Sequence, residues 1–316
     1  MTGSLRTLTT DLIDYAGLFP PAKLDMRTSV ENYARARMGD HEPILGRFVC
    51  PVARLDEFDQ AAAQLLPGTN ARSGYRTPMD GQEPWRLSAL VEGDFEKNLD
   101  AIDAFNARHE KPDNGLAVID MIEMKVTDVG KIDEALDAMP ENLFPFFEFP
   151  VSLTDGVGDC RGYVAALAGN KAAAKIRTGG IVGNAFPTIA EVATFIHACA
   201  AAEVPFKATA GLHHPVRAVN RLTYEQGSST CKMHGFLNVF LAAAVAKTMR
   251  PDMAVTSAIL AGEDPQEFKF GEDVLGWREH LITTADAAVV REGFALSFGS
   301  CSFDEPVEDL KALGWI

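Results

Sequence analysis

The sequence predicts an α/β fold, a (β/α)8 barrel in one domain, on three observations. Short apolar runs bounded by turn residues alternate with stretches whose apolar residues recur at helical spacing. Eight such strand-then-helix pairs follow one another. Together they fill 316 residues, a length that α/β barrels reach as a single domain. The doubly wound parallel sheet is the competing architecture.

In chain order, the expected strands are Asp11–Phe19, Ile44–Val52, Arg86–Val91, Ala117–Lys125, Phe144–Val151, Ala172–Thr178, Pro205–Leu212 and Phe294–Cys301. Each precedes a helical pattern, respectively Arg27–Arg37, Leu55–Leu66, Phe95–Arg108, Val129–Met139, Tyr163–Leu167, Thr188–Ala202, Gly235–Met249 and Glu305–Leu313. Two segments break the rhythm. Pro67–Pro84, rich in Gly, Pro, Asn and Arg, reads as a long loop. About 80 residues separate the seventh and eighth strands. That stretch, 216–293, is expected to hold the seventh helix and a helical insertion that includes Ser257–Leu260 and Thr284–Val290, placed as a lid or an oligomer contact.

Composition narrows the function. Lys and Arg total 29 against 44 Asp and Glu, a net charge of −15, which repels nucleic acid and anionic membranes. The most apolar stretch, Phe236–Ala246, is about half the roughly 20 residues of a membrane span, and no signal segment opens the chain. A cytoplasmic location is expected. Cys50, Cys160, Cys199, Cys231 and Cys301 are widely spaced without a C-x-x-C pair, and read as reduced thiols.

In a barrel, reacting side chains gather at the C-terminal ends of the strands. Within Ala172–Gly180, period-2 alternation puts Lys175 and Arg177 on one face and Ile176 on the other. The next strand puts Lys207 and Thr209 on one face, with Phe206 and Ala208 outward. Two lysines then share one cavity. An amine attacks a carbonyl only when unprotonated, and burial beside other cations favours that form, so Lys207 and Arg177 are expected to activate Lys175 for Schiff-base chemistry. The bland reading is that these lysines neutralise inward carboxylates or bind an anion.

Arg177 suits a substrate carboxylate or phosphate. Gly179, Gly180 and Gly211 allow close backbone approach, and the turn Gly299-Ser300-Cys301-Ser302 offers amides and hydroxyls where barrels often bind phosphate. His213-His214 raises a metal reading, completed by Glu148 and His234. Adjacent residues of an extended segment point to opposite sides, however, which favours His213 or His214 as a substrate contact or general acid. The apolar helix Phe236–Met249 is expected either deep in the fold or at a subunit interface.

Six short runs resemble the deoxyribose-phosphate aldolase family of Schiff-base (β/α)8 enzymes. Lys175-Ile-Arg-Thr178-Gly179 is similar to the family's sixth-strand run carrying the carbonyl-attacking lysine, and Lys207-Ala-Thr-Ala-Gly211 to its seventh-strand relay lysine. Leu12-Ile13-Asp14, Phe48-Val49-Cys50-Pro51, Val118-Ile119-Asp120-Met121-Ile122 and Phe298-Gly299-Ser300-Cys301-Ser302 match its first, second, fourth and eighth strands. The resemblance implies that Asp120 pairs with the relay lysine and that Asp14 positions the set; the Schiff-base reading expects no metal or organic cofactor. Ala210 and Cys301 stand where the family has glycine and serine, and the compact aldolases lack the insertion.

Three functions follow as expectations. The first is an aldolase-like lyase, a homo-oligomer, forming a lysine Schiff base with a small anionic carbonyl substrate. The second is a metal-dependent lyase or hydrolase using His213, His214 and Glu148. The third is a non-catalytic barrel that binds an anionic metabolite.

Overall fold

Eight parallel strands close into a barrel in the computed structural model, which describes residues 1–68, 83–152 and 159–316. They are β1 (Ile13–Tyr15), β2 (Leu45–Pro51), β3 (Trp85–Val91), β4 (Ala117–Lys125), β5 (Phe144–Glu148), β6 (Ala173–Arg177), β7 (Phe206–Thr209) and β8 (Ala295–Ser300). Each pairs with the next, and β8 returns to β1. The doubly wound sheet is thereby excluded. All eight lie inside the runs expected from sequence, apart from Trp85 at the start of β3, and each is followed by the expected helix. The expected loop Pro67–Pro84 falls mostly outside the described residues.

Alternation divides the strands between two environments. Outward residues such as Phe48, Phe206 and Phe298 are fully buried beneath the helices, with their rings against the helix residues Phe58, Phe195 and Phe240. Inward residues carry the charges described below. Helix starts are fixed locally: Asp25 accepts from the Thr28 amide at 2.9 Å, and Thr188 with Glu191 forms a capping box.

The insertion between β7 and β8 differs from the expectation. Besides helices Met253–Ala261 and Thr284–Gly293, it contains an antiparallel hairpin (Ala218–Arg221 with Thr230–Met233). It also holds a three-stranded antiparallel sheet of Phe268–Phe270, Val274–Trp277 and His280–Thr283. Strands of three or four residues are too short to show a period. A helix at Gly3–Thr9 was likewise not signalled.

The helix Phe236–Met249 is buried by its own chain. Every residue from Phe236 to Ala246 is at most 3% exposed, and Phe236 and Phe240 meet the Phe298 ring at 5.2 and 5.9 Å. Its all-round apolarity is thus explained by packing between the barrel and the insertion. Asn238 is the polar exception. Its amide donates to the Ile259 and Gly262 carbonyls at 2.7 and 2.8 Å and accepts from the Arg217 amide at 2.8 Å. Among the described residues no helix is long and apolar enough to cross a membrane.

Asn238→Ala strands three backbone groups in an apolar setting. A loss of about 1–3 kcal/mol is expected in urea or guanidinium unfolding, with the barrel's circular dichroism retained before the transition.

Candidate active site

The register of β6 and β7 aligns Lys175 with Lys207 and Arg177 with Thr209. That of β5 and β6 aligns Glu148 with Lys175. Equal register on parallel strands puts these side chains on the same face, the barrel interior.

Bulges in β2 and β4 shape the arrangement further. In β2, Gly46 and Arg47 both lie opposite Asp14, since Ile13 pairs with Leu45 and Tyr15 with Phe48. Gly46 is required there, because a Cβ would come 2.4 Å from Asp14 Oδ1. The bulge also lets the Arg47 amide donate to Asp14 Oδ1 at 2.8 Å. In β4, Leu87 pairs with Ile119 but Ser88 with Met121, so Asp120 is the extra residue. Alternation changes phase across it, and Glu123 comes to face inward.

The result is a ladder of alternating charge. Arg177 Nε lies 3.0 Å from Glu148 Oε1, and Glu148 Oε2 lies 2.6 Å from Lys175 Nζ. Lys175 Nζ is 2.8 Å from Glu123 Oε2, Glu123 Oε1 is 2.6 Å from Lys207 Nζ, and Lys207 Nζ is 2.6 Å from Asp14 Oδ2. Ser88 donates to Glu123 at 2.7 Å and Ser297 to Asp14 at 2.7 Å. The Phe146 ring lies 5.2 Å from Lys207 Nζ. Three cations are matched by three carboxylates. The cation cluster expected from sequence is therefore not left uncompensated, because Glu123 and Glu148 stand between its members.

Burial alone pushes the Glu123 carboxyl up, but Lys175 and Lys207 outweigh it and hold the group well below the usual carboxylate range. For Glu148, burial is likewise outweighed by Lys175 and Arg177, and its pKa is lowered. Burial lowers Lys207, yet Asp14 and Glu123 reverse this and raise it.

Above the ladder lies a cavity of about 670 Å³ at the C-terminal end of the barrel. Lys175, Glu123, Glu148 and Arg177 line its floor and rim, while Phe19, Val49, Leu90, Phe95 and Met124 supply an apolar wall. Lys175 is 4% exposed at its side chain and Lys207 is fully buried. Only Lys175 of the two lines the cavity.

The other expected site residues separate into two groups. Thr209, Gly179, Gly180, Gly299, His213 and Cys301 line the cavity. Asp14 sits behind it on Lys207. Asp120 does not reach the relay lysine. It is held by Arg47 Nε and Nη2 at 2.7 and 2.6 Å, and Glu123 occupies the place beside Lys207. The bulge is the reason. Thr178 is buried and donates to the Ala210 carbonyl at 2.7 Å. Gly211 has φ +75°, and a Cβ on it would meet Gly179 Cα at 2.8 Å, so these glycines let two loops touch. Ser300 and Ser302 face local backbone, with Ser302 Oγ accepting from the Glu305 amide at 3.1 Å at the start of the last helix.

The two histidines diverge. His213 Nδ1 is 3.1 Å from Glu305 Oε2 and His214 Nδ1 is 2.6 Å from Asp309 Oδ2. Glu148 is engaged by Lys175 and Arg177. His234 contacts the Pro187 carbonyl at 2.8 Å, and burial lowers its pKa to about 4. Among the described residues no group of three His, Cys, Asp or Glu is placed to hold a metal, so the expected His213–His214–Glu148 set does not form.

Sequence reasoning missed Glu123, Arg47, Ser88, Ser297, Glu305 and Tyr224. Glu123 had a signal, a carboxylate inside the apolar run Met121–Met124, but strict alternation from an inward Asp120 points it outward, and only the bulge reverses that. Comparison of the chain with protein-family models, curated proteins and solved structures gives no match.

Glu123→Gln removes the carboxylate shared by two buried lysines, and about 3–5 kcal/mol of stability is expected to go with it. The ionised Glu123 and Glu148 stabilise the fold fully above the unfolded carboxyl value of 4.5, and this is lost as pH falls from there towards their lowered folded values. Unfolding measured against pH should therefore slope more steeply below pH 4.5 in wild type than in Glu123→Gln.

Proposed function

We propose that this protein is a lyase that makes or breaks a carbon–carbon bond through a Schiff base between Lys175 and a small anionic carbonyl compound. The observation that carries this reading is the seating of Lys175 Nζ on the cavity floor, with carboxylates at 2.6 and 2.8 Å and a second lysine behind one of them. The resemblance of the Lys175 and Lys207 runs to those of deoxyribose-phosphate aldolases supports the same chemistry.

Lys175 first passes a proton to Glu148 across 2.6 Å. Burial favours the neutral acid once the ammonium that opposed it is gone. The amine lone pair then attacks the carbonyl carbon, the carbinolamine oxygen takes the proton and leaves as water, and an iminium remains. Glu123 and Glu148 flank its positive charge, and the electrons of the adjacent C–C bond flow into it. Lys207 holds Glu123 ionised and oriented, while Asp14 and Ser297 position Lys207.

Arg177 offers the substrate anion a partner. Its side chain is 45% exposed at the cavity rim with Nε on Glu148. Ser300 and Ser302 are turned to local backbone, so Arg177 rather than the Gly299–Ser302 turn reads the anion in this proposal.

Intact-mass analysis after incubation with small aldehydes, ketones and 2-oxo acids plus borohydride tests the chemistry. A substrate-sized adduct mapping to Lys175 is expected in wild type and not in Lys175→Ala. Binding of anionic carbonyls without any adduct, surviving in Lys175→Met, would instead return the chain to a non-catalytic anion-binding barrel. In steady-state kinetics, Arg177→Gln should raise KM for anionic carbonyl compounds about tenfold, the scale of one charged hydrogen bond, and leave neutral ones unchanged.

A further inference from the structure

Cleaving an aldol requires two proton transfers at different places, one at the lysine nitrogen and one at the hydroxyl carried by the carbon two bonds from the iminium carbon. Glu148 serves the first from the floor. Of the other titratable side chains lining the cavity, Glu92 and Lys125 are exposed at its mouth, and burial pushes the Cys301 thiol up. His213 is buried in the wall.

We infer that His213, backed by Glu305, is the base that takes the hydroxyl proton, so that the site acts on β-hydroxy carbonyl compounds. This rests on the lyase reading above. His213 Nδ1 faces Glu305 Oε2 at 3.1 Å, off-axis for an aligned hydrogen bond but close enough to orient the ring. That leaves Nε2 for the cavity, the division of labour of a carboxylate–imidazole pair. Glu305 is itself fixed, since its Oε2 accepts from the Tyr224 hydroxyl at 3.1 Å and its amide is capped by Ser302. His213 also borders a second pocket of about 270 Å³, lined by Tyr224, His214 and Glu305, which gives its proton a route to solvent.

The step balances. Nε2 takes the hydroxyl proton, the O–H electrons form the new C=O, and the C–C bond breaks with its pair moving into the iminium to give a neutral enamine. The aldehyde leaves. The imidazolium returns its proton to the enamine carbon, and water releases the ketone from Lys175.

The test uses pyruvate, acetone and acetaldehyde as donors, with the acetaldehyde aldol of whichever labels Lys175 under borohydride. His213→Gln should keep the labelling and lose aldol cleavage by about 100- to 1000-fold. In His213→Ala, added imidazole should restore part of the rate, a response that a structural role does not give. Glu305→Gln should lower kcat about tenfold with KM and labelling unchanged, as a positioning residue. Wild-type cleavage rates in His213→Gln, or labelling and cleavage lost together in a folded variant, overturn the inference alone. Absence of labelling in wild type removes the lyase reading and this inference with it.

Discussion

The barrel interior is organised around one constraint, that no charge can be buried there without an opposite charge in contact with it. Placing an ammonium or carboxylate in a low-dielectric interior costs several kcal/mol unless a partner compensates. The run from Arg177 through Glu148, Lys175, Glu123 and Lys207 to Asp14 meets that condition at every step, with contacts of 2.6 to 3.0 Å. Each member has two neighbours or one neighbour and a hydroxyl or solvent. Removing an internal member takes one of two partners from each of its neighbours, so these side chains stabilise one another as a set.

The strand geometry follows from the same requirement. A regular β4 would turn either Asp120 or Glu123 inward, and the bulge at Asp120 turns both. A regular β2 would leave no amide for Asp14, and the bulge at Gly46 and Arg47 supplies one. Arg47 then binds Asp120 across β3, which settles the charge that the bulge introduced. Such irregularities re-aim side chains without disturbing the outward apolar layer.

The cavity above inherits an asymmetry from this arrangement. Its floor is held rigidly by strands, whereas its histidine wall is held by the last helix and the Tyr224 segment of the hairpin inserted after β7. The insertion also wraps the apolar helix Phe236–Met249, so a segment that interrupts the barrel repeat both completes the core and brings Tyr224 to the wall.

The sequence by itself determined the eight strand-and-helix units, their order and the face shared by Lys175, Arg177, Lys207 and Thr209. These depend on apolar periodicity over single elements, which is a local property. Tertiary structure decided what the lysines face. Glu123 rather than Asp120 stands beside Lys207 because a one-residue bulge at Asp120 reverses alternation beyond it, and bulges are set by the neighbouring strand rather than by the bulged residue. The pairing of His213 with Glu305, and of Tyr224 with the same carboxylate, joins positions about 80–90 residues apart. No local pattern encodes such contacts, because they exist only once the barrel has closed and its loops converge on one end.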